Sequence, residues 1–454
     1  MLQNSTLTGY VVLALLTALV VSFLLTPAVK SFAYKVGAVD VPKDARRMHK
    51  VPIPRLGGLA IFMGFMVSIL LFANVMEDRQ MRGILLGAVV IVILGVVDDI
   101  TPLPAKLKFV VQILAAILPV SHGVVIRAIS NPNLFSPNPY WQMGNVVSVV
   151  ITVLWIVGIT NSVNLIDGLD GLANGVSAIS ATTVLVIALI GGQFQVAVVM
   201  AALVGACVGF MPYNMNPAKM FMGDTGATFL GYILATMSIQ GLFKFYAIIS
   251  FAVPFLILGL PIFDTAFAFI RRIAHGQSPM HADRGHIHHR LIDMGLNQKQ
   301  AVATLYVISA ILGLSAVVLT TSGEGRAMLL FLVLEILNSS GAFEQVSRGI
   351  MRFCKTPRSA ELVCYLIASV GSIVTGGSGI AIIFFGSLVR TITKAFGIDR
   401  CRGANILDGV ACGATGLMPH GNPTLLLDYL DRELIPAMRA YDYHVAVNPT
   451  DLML

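Results

Sequence analysis

The residues of this chain that could do chemistry are carboxylates, amides and histidines set among long apolar runs. The densest group is NSVNLIDGLDGLANG, residues 161–175, which places Asn161, Asn164, Asp167 and Asp170 beside Gly168, Gly171 and Gly175. Polar side chains at the edge of a membrane are costly and mark function by default, and glycines let backbone approach a ligand closely. A helix cap would need a single Asp or Asn, not four polar side chains. Upstream, GVVDDI sets Asp98 beside Asp99. Adjacent carboxylates repel unless a cation or a proton joins them, so the pair suits metal coordination or general-base work. Lys106 and Lys108 follow, and cations beside such a pair suit a bound phosphate. Downstream, Gly223-Asp224-Thr225-Gly226 leads into another apolar run, with Asn214 and Phe221 just ahead of it. Glycines at a helix N-terminus favour phosphate and Asp224 would repel it. A divalent ion between the two resolves the conflict.

The last polar stretch, HADRGHIHHRL, holds His281, His286, His288 and His289 with Arg284 and Arg290. H-x-H-H is not a zinc-finger spacing and no cysteine is near; the arginines suit a diphosphate. Asp264 stands inside the preceding apolar run, an intramembrane charge. Near the start, the stretch with Asp40, Lys43, Arg46, Arg47, His49 and Lys50 is either a cationic lip for an anionic substrate or, together with Arg55, topology-setting charge.

The elements that must position these groups are membrane helices. The chain has 454 residues, 56% hydrophobic and 12% charged, against about 25% charged for a soluble domain. The expected fold is all-α and polytopic, with ten or eleven transmembrane helices at about 8–30, 56–75, 83–98, 107–122, 145–160, 172–191, 195–211, 226–242, 247–270, 300–320 and 326–337. The first has no A-x-A-like cleavage site and reads as a retained helix. The Lys/Arg distribution puts the odd connections in the cytoplasm: 31–55, 99–106, 161–171, 212–225 and 271–299. Every polar group above except Asp264 falls in one of these or at its edge, which predicts one site on one membrane face. The net charge of +7 sits at loop ends, so nucleic acid is not an expected partner. The five cysteines form no C-x-x-C pair, which indicates neither zinc nor a redox motif.

Residues 1–335 resemble the polyprenyl-phosphate N-acetylhexosamine-1-phosphate transferases, through Asp98-Asp99, NSVNLIDGLDGLA, FMGDTGATFLG and HADRGHIHHRL in that family's order and spacing. The resemblance implies Mg²⁺-dependent transfer of a sugar-1-phosphate, with Mn²⁺ as an alternative ion. The sugar-phosphate moves from a UDP-sugar to a lipid carrier such as undecaprenyl phosphate, and UMP is released. It implies Asp224 as a metal ligand, and Asp98 and Asp99 as the pair that activates the lipid phosphate and organises the metal. Asp167, Asp170, Asn214 and Phe221 match nucleoside contacts, His288 and His289 the diphosphate motif, and Lys106 and Lys108 basic residues for the lipid phosphate. The histidine motif looks like that of the branch using UDP-N-acetylglucosamine, which starts cell-surface polysaccharides. The implied setting is the bacterial inner membrane with a cytoplasmic active site, and a homodimer is compatible with it.

Residues 336–454 depart from that pattern. NSSGAFEQVSRGI, IVTGGSGIAIIFFGSLVR and RGANILDGVACGATGLMPHG resemble the C-terminal part of NhaC-type Na⁺/H⁺ antiporters. The expectation is a foreign or degenerate tail with two or three apolar helices, at about 360–375, 378–394 and 403–418. Such a tail is too short to form that transporter. An antiporter-like transporter or an inactive fusion product are the alternative functions. A transporter predicts matching interrupted helices in two halves, and the sequence has no such repeat.

Overall fold

The computed structural model describes residues 2–41, 51–75, 77–130, 140–241, 252–274, 286–320, 351, 354, 356–375 and 378–416. The chain forms two compact units, one of residues 1–130 and 140–321, the other of 131–139 and 322–454. The tail boundary expected near residue 335 lies outside the described residues.

The first unit is helical: α1 (Leu2–Lys35), α2 (Gly57–Phe72), α3 (Arg79–Ile100), α4 (Ala105–Ser121), α5 (Asn145–Leu165), α6 (Leu172–Ile190), α7 (Phe194–Asn214), α8 (Gly223–Gly241), α9 (Ala252–Ile257), α10 (Gly259–Ala274), α11 (Ile287–Asp293) and α12 (Gln298–Thr320). Six of these, α1, α3, α5, α6, α7 and α12, are long and apolar enough to cross a membrane, by length and composition. The protein is a multi-pass, all-α membrane protein. Two antiparallel pairs of short strands, β1 (Val39–Asp40) with β2 (Ile53–Pro54) and β3 (Ala128–Ser130) with β4 (Tyr140–Gln142), interrupt the helices.

Local chemistry explains the boundaries that matter. Asp78 caps α3, accepting from Gln80 N at 2.8 Å and Met81 N at 3.2 Å. Pro102 and Pro104 follow the other end of α3 and stop it just past Asp98 and Asp99. The expected single span 247–270 is instead two helices, broken at Leu258. Pro261 has no N–H to give Ile257 O, and the freed carbonyl accepts from Ser180 Oγ of α6 at 2.9 Å. Pro27 acts the same way inside α1, where Phe23 O accepts from Tyr213 Oη at 3.4 Å. The eleventh expected span, 326–337, lies outside the described residues.

Packing between helices relies on small residues and buried hydrogen bonds, as expected where lipid is as apolar as Leu. A Cβ on Gly205 of α7 would fall 2.1 Å from Leu15 O of α1. Around α8, Tyr232 Oη donates to Ile84 O at 3.1 Å and Trp155 Nε1 to Ser238 Oγ at 3.0 Å. These bonds set α8 against α3 and α5, and so bring Asp224 to the end of α3.

The second unit contains α13 (Pro357–Thr375), α14 (Ser378–Ala395) and α15 (Arg400–Gly416). Cys364, Leu388, Val389, Ile392 and Ile406 are among its buried core residues. Arg402 Nε lies 2.7 Å from Glu361 Oε1 and joins α15 to α13.

Candidate active site

A cavity of about 670 Å³ opens where the odd connections meet. Asp40, Val51, Ile53 and Arg55 line it from the first connection, Asp99 from the second, and Asn164, Asp167, Gly168, Leu169 and Asp170 from the third. Asn214, Asn216, Phe221, Gly223 and Asp224 come from the fourth, His289 and Gln298 from the fifth. The segment after β2 is bolted to the lead-in of α8 by backbone bonds: Phe221 N to Pro54 O at 2.8 Å, Gly57 N to Phe221 O at 2.9 Å, Gly58 N to Met222 O at 2.8 Å. Gly223 has φ +69°, and a Cβ there would fall 2.2 Å from Arg55 O and 2.4 Å from Asp99 Oδ2, so only glycine fits.

At the junction of α3 and α8 every carboxylate has a partner. Asp99 caps α8: Oδ1 accepts from Asp224 N at 3.0 Å, and Oδ2 from Thr225 N at 3.0 Å and Thr225 Oγ1 at 2.6 Å. Asp98 Oδ1 accepts from Leu103 N at 2.7 Å. Lys108 Nζ bridges Asp98 Oδ2 at 3.0 Å and Asp224 Oδ2 at 2.8 Å.

The loop 166–171 is held from three sides. Tyr306 Oη donates to Gly171 O at 2.6 Å. Asp170 Oδ2 accepts from Asn216 Nδ2 at 2.9 Å and Ala218 N at 3.0 Å, and Asn216 also donates to Gln298 Oε1 at 2.7 Å. A Cβ on Gly168 would sit 2.3 Å from His288 Nε2, so the loop rests directly on that imidazole. Asp167 has no hydrogen-bond donor among the described residues. Burial, and then the charges of Asp224, Asp99 and Asp170, push its carboxyl up to about 8.

A family model described as "Glycosyl transferase family 4" matches residues 81–242, the part that carries Asp98, Asp99, Asp167 and Asp224. The "Probable undecaprenyl-phosphate N-acetylglucosaminyl 1-phosphate transferase" of Bacillus subtilis (strain 168) is 42% identical over 326 residues, covering 72% of this chain and 89% of that protein. The chain belongs to glycosyl transferase family 4, with the polyprenyl-phosphate N-acetylglucosamine-1-phosphate transferases. The "Decaprenyl-phosphate N-acetylglucosaminephosphotransferase" of Mycobacterium tuberculosis (strain CDC 1551 / Oshkosh) is 31% identical over 335 residues, with 66% of this chain and 80% of that protein covered. The "Undecaprenyl-phosphate alpha-N-acetylglucosaminyl 1-phosphate transferase" of Yersinia pestis is 28% identical over 367 residues, with 77% of this chain and 98% of that protein covered.

Of the residues singled out in the family 4 sequence, Asp99, Asn164, Asp167, Asp170, Asn214, Phe221, Asp224 and His289 line the one cavity. Others are elsewhere. Asn161 turns to helix packing, with Nδ2 donating to Gln112 Oε1 at 2.6 Å and Val157 O at 2.8 Å. His286 is buried, its Nδ1 2.9 Å from Asp264 Oδ2, while Asp264 Oδ1 accepts from Ile287 N at 2.7 Å. The intramembrane charge at 264 therefore anchors the start of α11. His288 is 3% exposed; burial, with neighbouring His289 and His286, pushes its imidazole down to about 4. It is neutral near pH 7 and packs under Gly168 instead of offering charge to a diphosphate. Lys106 and Arg290 are exposed and do not line the cavity. Lys43, His49 and Arg284 lie outside the described residues. The helix N-terminus of α8, read as a phosphate cradle, has its first free N–H groups given to Asp99.

Sequence reasoning did not assign Arg55, Asn216 or Gln298 to the site, and it met Asp40 only within the stretch read as a cationic lip. Arg55 was visible only as a loop charge; its Nε donates to Asp99 O at 3.1 Å. Asn216 and Gln298 had no motif of their own. The chemistry of the lining fits a hard divalent ion: five Asp residues, amides and no cysteine, with Arg55 as the one permanently cationic side chain among the described lining residues. The three-carboxylate set expected of Asp98, Asp99 and Asp224 does not form, because Asp99 is spent on α8. No group of three or more His, Cys, Asp or Glu among the described residues makes a ready metal cage. That suits an ion held by one or two carboxylates and completed by phosphate oxygens, the habit of Mg²⁺.

Proposed function

We propose that the chain transfers N-acetylglucosamine-1-phosphate from a UDP-sugar to undecaprenyl phosphate or a similar polyprenyl phosphate. UMP is released, and a cell-surface polysaccharide is begun. The observation that carries this reading is the single cavity in which acidic and amide side chains from five connections converge. The names of the relatives support the transferred group and the acceptor, and they do not favour a transporter. The connections that meet there are those the positive-inside pattern assigns to the cytoplasm of a bacterial inner membrane.

An oxygen of the acceptor phosphate attacks the phosphorus that carries the sugar. The bond from that phosphorus to the bridging oxygen breaks, and UMP leaves with it. Asp224 and Asp98 would hold Mg²⁺ or Mn²⁺, whose charge would offset the repulsion between the two anions. Arg55, anchored through Nε to Asp99 O, grips the diphosphate with its remaining donors. Asn164, Asp167, Asp170, Asn214 and Phe221 shape the compartment for the nucleoside. The acceptor phosphate is already ionised near neutral pH, so the chain contributes orientation more than proton removal.

The test is radiolabelled UDP-N-acetylglucosamine with membranes containing the full chain, undecaprenyl phosphate and Mg²⁺. A lipid-linked product that disappears with EDTA is expected. No product under saturating acceptor and Mg²⁺ would refute the reading. Repeating the assay without residues 336–454 reports whether the tail is dispensable.

A further inference from the structure

The Lys108 ammonium sits where two carboxylates from different helices come together. Nζ is 3.0 Å from Asp98 Oδ2 and 2.8 Å from Asp224 Oδ2. Asp98 Oδ1 is taken by Leu103 N, and both oxygens of neighbouring Asp99 are taken by the start of α8. Asp98 and Asp224 therefore keep Lys108 as their one cationic partner among the described residues. A divalent ion shared by both carboxylates would have to take Asp98 Oδ2, the oxygen that Leu103 leaves open, from the ammonium, and two cations at that spacing repel.

We propose that Lys108 is an internal counter-ion of the metal site. It neutralises Asp98 and Asp224 together, and it yields their oxygens when a divalent ion arrives. This inference rests on the reading of those two residues as metal ligands. A lysine suits this role because its charge is a point on a four-carbon stem with rotatable donors, so it can let go and move. An arginine fork would hold both carboxylates and resist exchange. The lysine thus competes with the ion, lowers its affinity and, once displaced, places a positive charge beside the bound ion where an incoming phosphate needs one.

The experiment is Mn²⁺ titration of the purified full chain in detergent, read by electron paramagnetic resonance, with thermal melting in EDTA and in saturating Mn²⁺. Lys108→Met is expected to bind Mn²⁺ about tenfold tighter than the wild type, a coupling of ordinary size. It is also expected to melt lower in EDTA and recover in Mn²⁺. Lys108→Arg is expected to bind Mn²⁺ more weakly. A lysine that merely shaped the site would make Lys108→Met bind Mn²⁺ equally or less well, and that result overturns the proposal. Should Lys108→Met fail to fold, Lys108→Arg decides, and affinity at or above the wild-type value overturns it. If Asp224→Asn leaves Mn²⁺ affinity unchanged, the metal reading fails first and takes this inference with it.

Discussion

The junction of α3 and α8 and the loop 166–171 contain the same residue types and treat them in opposite ways. At the junction, Asp98 is held by Leu103 N and Lys108, and Asp99 by Asp224 N, Thr225 N and Thr225 Oγ1. In the loop, Asp170 is fixed by Asn216 and Ala218, but Asp167 faces other carboxylates with no donor among the described residues. A carboxylate ringed by donors is a fixed point of geometry. One surrounded by like charge demands a proton or a cation from outside the chain. The junction sets the frame, and the loop creates the need for a ligand.

This contrast can be broken in order of expected effect. Asp224→Asn, at the seam of the two regions, should lower kcat/KM about 10³-fold, the scale of a lost electrostatic stabiliser, with the protein still inserted in the membrane. Near-normal turnover in a radiolabel assay would separate the junction from the chemistry. Asp99→Ala should cost about 1–3 kcal/mol of stability, because two backbone N–H groups lose their acceptor. Denaturation in detergent checks this, and an unchanged midpoint would mean the cap does not hold α8.

Asp167→Asn should change the pH dependence of stability measured in EDTA. The folded carboxyl titrates near 8 and the unfolded one near 3.9. Between these values the folded state binds the extra proton, so wild-type stability falls as pH rises. The variant should lose that part of the slope, while an identical slope would show that Asp167 is not the group left short of partners. Gly168→Ala should have the smallest effect, a several-fold rise in KM for the donor, since a Cβ would displace the loop from His288. His288→Ala in the same chain should recover part of the loss. No recovery would remove the imidazole from the loop's support.

Much of the scaffold was legible because apolar runs near 20 residues leave few alternatives to a membrane helix. The clustering of the odd connections also followed from charge placement. What the chain hid was direction. Adjacent Asp98 and Asp99 leave their helix about 100° apart, and nothing in DDI says which meets α8. In a helix that is apolar on every side, such as α5, period 3.6 marks no inner face, so Asn161 could not be told from a cavity residue. Arg55 sits just after β2, a two-residue strand too short to show alternation. The split at Leu258 had its signals in Pro254, Gly259 and Pro261, but an unbroken hydrophobic run outweighed them.

The cap that Asp99 places on Thr225 joins positions 126 residues apart. A ribosome must therefore thread five further helices after α3 before that carboxylate meets its donors. Contacts of such long range form late, so the junction of α3 and α8 is assembled only once α8 is complete. A nascent chain arrested before that point would carry an acidic pair at the membrane edge with no helix end to receive it.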